Sequence, residues 1–209
     1  NKAQDKHWAV YNEATNELHV SWTQFDLYGS RNKDNRSNIM YSKSEDNGVT
    51  WTMANQINQA SGDCIDSSLT TEGAVPTFSN DGRLYIAWAG PAGIRMNSFS
   101  EDSWLPVTTL VDSNKAGWSY SIPGVNRCNG MPVTICDRSK GDNEGRVYVN
   151  WSDQREGTDN TDIFLKYSDT KGEQWSEPIR IGKRGGKNHQ FLTWMSLDQT
   201  TGALYLVYY

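Results

Sequence analysis

Leu18-His19-Val20-Ser21-Trp22, Leu84-Tyr85-Ile86-Ala87-Trp88, Val147-Tyr148-Val149-Asn150-Trp151 and Leu204-Tyr205-Leu206-Val207-Tyr208 are four copies of one pattern. Their closing aromatics fall 66, 63 and 57 residues apart, so one unit repeats along the chain. β-Branched and aromatic residues dominate each copy. A turn signal precedes each of them: Asn16-Glu17, Asp81-Gly82, Glu144-Gly145 and Thr201-Gly202. Runs of this kind form strands, and no helical period competes with them.

The flanks of each copy supply the rest of a four-stranded unit. Inner-strand candidates precede it at 8–11, 74–78, 131–135 and 191–197, and a third strand follows at 38–44, 93–98 and 162–168. Each third strand runs into a turn ending in Trp51, Trp104 or Trp175, and a fourth, outer strand comes after the turn. Inner to outer, this is the strand order of a β-propeller blade, with sheets set radially and packed face to face. The expected fold class is all-β, a propeller of four-stranded antiparallel blades. The expected organisation is one partial domain over 1–209, with blades at 1–60, 61–112, 113–182 and an incomplete one at 183–209.

The turns between third and fourth strands carry a signature. Residues 44–51 read SEDNGVTW, which fits the pattern SxDxGxTW at every specified position. Residues 168–175 read SDTKGEQW, with Thr170 in place of the Asp, and residues 98–104 (SFSEDSW) keep little beyond the first Ser and the Trp. On these residues the chain resembles the Asp-box (BNR) repeats of sialidases and related secreted propellers, over essentially its whole length. An Asp carboxylate can accept N–H bonds across such a turn, the Gly supplies a backbone angle other residues resist, and the Trp wedges between sheets. Asp46 and Trp51 are therefore read as structural. The resemblance implies a six-bladed ring, of which about three and a half blades lie here. The remainder would come from the rest of a longer chain or from another chain, since the last strand would otherwise leave an unpaired edge.

Composition narrows the function classes. The 9 Trp and 10 Tyr, with a net charge of −5, describe an aromatic-rich globular protein. No run of 18 apolar residues is present, so no membrane span is expected, and the opening NKAQDKHW is neither an initiator Met nor a signal peptide. A mildly acidic chain without a basic stripe makes nucleic acid a poor partner. The secreted relatives imply an extracellular or cell-surface location. Cys64, Cys128 and Cys136 show no metal-ligand spacing. In an exported protein they would give one disulfide and one free thiol; Cys64 to Cys128 is the favoured pair, with the other two pairings open.

Loops joining second to third strands, and one blade to the next, emerge on one face of a propeller. Here they are the long polar ones, at 23–37, 56–73, 112–130, 152–162 and 182–190, and a binding or catalytic site is expected among them. They carry Asp63, Glu72 and Asp153 as candidate catalytic carboxylates, and Asp66, Arg127, Arg155, Trp118, Tyr120 and His189 as candidate substrate-binding residues. Carboxylate pairs serve as acid and base in glycoside hydrolysis, while guanidinium forks hold carboxylates or phosphates. Glu72 and Arg127 each precede an inner strand and should point to the central mouth. The acidic stretch Asp153, Glu156, Asp159, Asp162 is of a kind that can bind calcium, though without EF-hand spacing; no cofactor is otherwise required. Sialidases hold the substrate carboxylate with an arginine triad whose first member lies in a FRIP-like motif, and that motif is absent, so no triad is carried over. The expected partner is a glycan or glycoprotein, met either by a sialidase-like hydrolase or by a non-catalytic or structural propeller.

Overall fold

A computed structural model of the chain describes residues 2–182 and 188–209. The middle of the 182–190 loop, at 183–187, lies outside the described residues. Among the described residues there are strands and no helix, and hence no helix long and apolar enough to cross a membrane.

The first sheet is β1 (Ala3–Asn12), β2 (Glu17–Phe25), β3 (Ser37–Ser44) and β4 (Asn55–Gln56), antiparallel and in chain order. The second is β5 (Glu72–Phe78), β6 (Leu84–Gly90) and β7 (Gly93–Ser100), with β8 (Ser103–Trp104) and β9 (Thr109–Asp112) both pairing with the outer edge of β7. After a hairpin of β10 (Ser119–Ile122) and β11 (Val125–Asn129) comes the third sheet: β12 (Val133–Cys136), β13 (Val147–Asp153), β14 (Asp162–Ser168) and β15 (Ile179–Ile181). β16 (Trp194–Leu197) and β17 (Leu204–Val207) form the last, two-stranded sheet. These are propeller blades. In all four, the fourth residue of the repeated pattern faces the inner strand at one register: Ser21 opposite Trp8, Ala87 opposite Val75, Asn150 opposite Val133 and Val207 opposite Trp194.

Side-chain alternation along β6 and β13 feeds two interfaces each. From β6, Leu84, Ile86 and Trp88 pack with Ile39 and Tyr41 of the first blade, while Tyr85 and Ala87 pack with Val149, Trp151 and Phe164 of the third. A third cluster joins Val133, Tyr148 and Leu165 to Met195 and Leu197 of the last blade. β6 and β13, covered on both faces, are buried along almost their whole length, whereas β2 is fully buried on one face only and β17 is half-buried on one face and exposed on the other. Each large side chain fully buried stabilises by roughly 1.5–3 kcal/mol.

The box turns fasten the blades. In the first, Ser44 Oγ accepts Gly48 N–H at 2.8 Å, Asp46 Oδ1 accepts Thr50 N–H at 2.8 Å, and Trp51 Nε1 donates to Gly48 O at 3.1 Å. In the third, the hydroxyl of Thr170 replaces the carboxylate, accepting Gln174 N–H at 2.8 Å, while Ser168, Gly172 and Trp175 repeat the remaining bonds. Gly172 sits at φ 86° with Met96 of the second blade so close that a Cβ would come within 1.9 Å of its Cε. Trp175 packs into the interface with the second blade, and Trp104 lies edge-on to Tyr41 of the first, with centroids 4.8 Å apart. Each of these two Trp thus anchors its blade to the one before it. Trp51 belongs to the first blade and is 45 % exposed.

Two sequence expectations need correction. Residues 112–130 are not a plain loop, because Ile122 and Val125 pair across a Pro-Gly turn to make the β10–β11 hairpin, and the third inner strand begins at Val133 rather than Met131. Cys64 and Cys128 are not bridged: all three cysteines are buried free thiols. Cys64 is held in the linker from the first to the second blade, its carbonyl accepting Gly29 N–H at 2.7 Å, whereas Cys128 lies in β11 beside Tyr120.

Candidate functional site

The inner strands start at the face where the long loops emerge, and two of them are bulged there: β1 between Asp5 and Trp8, β5 between Glu72 and Val75. A bulge inserts a residue and re-aims its neighbours. At the inserted positions the backbone is left-handed, with Lys6 at φ 50° and Gly73 at φ 76°. That conformation is costly for a lysine; Asp5 Oδ1, accepting Lys6 N–H at 2.8 Å, helps hold it.

The two bulges bring opposite charges together. Lys6 Nζ lies 2.6 Å from Asp5 Oδ2 and 2.6 Å from Glu72 Oε2. The Glu72 side chain is 0 % exposed, and neither carboxylate oxygen has a hydrogen-bond partner of good geometry among the described residues, the contact with Lys6 being an ion pair. Burial pushes its carboxyl up to about 7; Lys6 pulls it down, and the nearby Asp66 and Asp5 carboxylates add to the rise. Burial alone would lower the Lys6 ammonium, but Asp5 and Glu72 outweigh it and raise it. At the rim, Asp66 receives Tyr28 Oη on Oδ2 at 2.7 Å, and Arg127 Nη2 pairs with the same oxygen. Tyr28 and Arg127 are both open to solvent. Beside Lys6 a groove of about 330 Å³ runs along the meeting line of the inner strands, walled by Trp8, Val75, Met131, Val133, Leu192 and Trp194.

Of the residues singled out in the sequence, Glu72, Asp66 and Arg127 are gathered here. Asp5, Lys6, Tyr28, Trp8 and Trp194 join them without having been anticipated. The bulges put Lys6 at the level of Gly73, a register that the sequence pattern does not show.

The other candidates are engaged in holding loops and blades. Asp63 Oδ1 accepts Thr70 Oγ1 at 2.6 Å within its own linker. Asp153 is buried, taking Trp151 Nε1 at 2.8 Å and the Arg155 guanidinium at 2.5 Å; Arg155 also reaches Asp112 Oδ1 of the second blade at 3.0 Å and lies 4.1 Å over the Phe164 ring. This pair is an inter-blade clamp rather than part of the mouth. Trp118 is buried, its indole N–H donating to Thr70 O at 2.9 Å, so it is not free to stack on a ligand. Tyr120 Oη lies 2.5 Å from Ser152 Oγ, and burial pushes its phenol up. His189 Nδ1 meets Thr161 Oγ1 at 2.9 Å. In the acidic stretch Asp162 is taken by Arg180 Nη2 at 2.7 Å, and no group of three or more His, Cys, Asp or Glu among the described residues is placed to hold a metal ion.

An antiparallel all-β propeller with charged groups gathered at its mouth is the class that fold and geometry define. No protein-family model and no curated protein matches the chain in sequence. In three dimensions it is similar to the intramolecular trans-sialidase from Ruminococcus gnavus solved with oseltamivir carboxylate, at TM-score 0.55 and 9 % identity over 87 % of this chain and 54 % of that one. It is similar also to xylan β-1,4-xylosidase from Bacillus halodurans C-125, at TM-score 0.54 and 11 % identity over 99 % of this chain and 37 % of that one. The Hadza microbial sialidase Hz136 matches at TM-score 0.50 and 13 % identity, over 85 % of this chain and 38 % of that one. The chain spans about half the length of these proteins or less, and the likeness is one of fold.

Proposed function

We propose that the chain belongs to an extracellular or cell-surface propeller of the sialidase-like Asp-box kind that acts on carbohydrate, with glycoside hydrolysis as its reaction. In this reading the ring has six blades, the others coming from the rest of a longer chain or from another chain. The observation that carries it is Glu72, a buried carboxyl raised to about 7 at the mouth, with Asp5 and Asp66 as further carboxylates. A carboxyl half protonated near neutral pH can give a proton to a departing glycosidic oxygen and recover it from water. Two carboxyl groups, about 5–9.5 Å apart, are what such hydrolysis needs. One of the similar structures is named an intramolecular trans-sialidase, one a sialidase and one a xylosidase, which supports a sugar substrate.

A second reading, a non-catalytic propeller binding glycan or protein, is favoured by one observation: Glu72 is covered, and Lys6 and Arg127 are already ion-paired. Turnover of a panel of aryl glycosides, sialosides included, by the complete protein separates the two. Hydrolysis that falls about 100-fold or more in Glu72→Gln supports the first reading. Glycan binding without turnover leaves the second, and neither activity refutes both.

A further inference from the structure

A cavity of about 300 Å³ lies at the joint between the first and second blades. These blades are neighbours in the chain and pack directly through Ile39, Tyr41, Ile86 and Trp88, so no further blade of a ring comes between them. The cavity shares no lining residue with the groove beside Lys6. It is left open because the second blade turns tightly where the first and third carry long loops. Gly90 pairs with Gly93 across a two-residue turn, Pro91-Ala92, whereas residues 26–36 join β2 to β3 and 154–161 join β13 to β14. Gly90 also comes so near the linker that a Cβ there would lie 2.9 Å from Thr71 Oγ1.

Two donors that line this cavity lack acceptors. Arg95 stands opposite Trp88 in the β6–β7 register, so both side chains leave the same face of the blade. Arg95 Nε donates to Ala92 O at 3.2 Å; Nη1 and Nη2 have no hydrogen bond or ion pair among the described residues. Trp88 is 2 % exposed, and no described residue accepts its indole N–H, although a buried indole ordinarily finds a partner. The Thr71 and Thr108 hydroxyls already donate, to Ala60 O at 3.4 Å and Gln59 Oε1 at 3.3 Å. No Asp or Glu lines the cavity.

An unpaired guanidinium beside a spare N–H, with no carboxylate in the lining, selects an anion. The Nη1–Nη2 edge presents two parallel N–H groups that match the two oxygens of a carboxylate. One cation balances one negative charge, and a dianion would leave a second uncompensated in a half-buried place. The volume is at the small end for ligand sites, which run from about 300 to 1,000 Å³, so the body carrying the acid is about one ring in size.

We propose that this cavity binds a small monocarboxylate, its oxygens on the Nη1–Nη2 edge of Arg95 with the Trp88 indole N–H as the further donor. It is a site apart from the mouth, and it does not rest on the carbohydrate reading.

The test is calorimetric titration of the complete protein, in a buffer free of carboxylate and phosphate, with sodium glucuronate as an acidic sugar and sodium benzoate as a free acid. Glucose and benzyl alcohol are their neutral counterparts. At least one carboxylate is expected to bind and both neutral compounds to fail. Arg95→Gln should weaken binding about tenfold or more, the size of effect expected when charge-assisted bonds are lost, and Arg95→Lys should fall in between. Tm should stay within about 2 °C in both, because the Arg95 side chain makes a single hydrogen bond. Binding of glucuronate alone would make the ligand an acidic sugar residue, and binding of benzoate alone a free acid; either supports the site. Neutral compounds that bind as well as the acids, affinity unchanged in Arg95→Gln, or no binding of either carboxylate overturns it. Binding lost in Arg127→Gln and kept in Arg95→Gln would place the anion at the mouth and overturn it too.

Discussion

Arg155→Met removes a guanidinium shared by two blades. Arg155 Nε lies 2.9 Å and 3.0 Å from the two oxygens of Asp153, and Nη2 reaches Asp153 at 2.5 Å and Asp112 at 3.0 Å. The Asp153 side chain is 0 % exposed, so the substitution strands a buried carboxylate whose remaining side-chain partner is the Trp151 indole. Losing one member of a buried pair costs about 3–5 kcal/mol; because a quarter of Arg155 faces solvent, the lower end, about 3 kcal/mol, applies. Methionine fills part of the same space but also gives up the guanidinium over the Phe164 and Trp151 rings, at 4.1 Å and 5.5 Å, which adds to the loss. For a protein of this size each kcal/mol shifts Tm by about 2–4 °C, giving a fall of about 6–12 °C by scanning calorimetry. Arg155→Lys should fall in between, since a point charge cannot fork across both carboxylates. Adding Asp153→Asn to Arg155→Met should recover part of the loss by removing the stranded charge. A Tm for Arg155→Met within about 2 °C of the parent would refute the clamp. Unchanged Tm with altered glycan affinity would return Arg155 to the binding site.

Four further outcomes follow from the same geometry. Because the folded carboxyl of Glu72 is raised to about 7 from 4.5, the stability it contributes is whole below pH about 4.5 and is lost as pH rises toward 7. Glu72→Gln, which keeps the neutral form, should therefore gain Tm relative to the parent on going from pH 4.5 to pH 8; a pH-independent difference would contradict this. Trp175→Ala opens an inter-blade core and should cost about 3 kcal/mol in urea unfolding, against about 1 kcal/mol for the half-exposed Trp51→Ala; equal losses would contradict the fastening described for the boxes. Calcium at millimolar level, or its removal with EDTA, should move Tm by less than about 1 °C, the magnitude of a small surface effect, because Arg155 and Arg180 already neutralise Asp153 and Asp162; a larger shift would establish a cation in that loop. Cys64, Cys128 and Cys136 should stay unreactive to a thiol reagent in the native protein and titrate as three thiols after denaturation, whereas a count of one would restore the disulfide.

The blade pattern was legible in the chain because it is local. Leu84 to Trp88 carries its strand propensity and its turn signal in adjacent residues, and the box at Ser44 to Trp51 writes a whole hydrogen-bonded turn into eight letters. The β10–β11 hairpin was read as loop, because the polar composition around Pro123-Gly124 outweighs two short runs of strand. The site was less legible. Glu72 and Arg127 could be placed near the mouth because they precede inner strands, and Asp66 reached it through its loop. Lys6 could not, since its role depends on a bulge that shifts the register by one residue. Asp153 and Arg155 look like site residues in sequence because a buried inter-blade ion pair and a binding pair use the same residue types. Asp153 is as buried as Glu72; what differs is that its carboxylate is held by Arg155 and the Trp151 indole at a blade interface, a pairing that only the packed blades create.

The direction in which two of the turn tryptophans point gives the joints between blades a polarity. Trp104 and Trp175 each reach back to the blade encoded just upstream, so the second and third blades each carry, late in their own sequence, the side chain that fills the joint behind them.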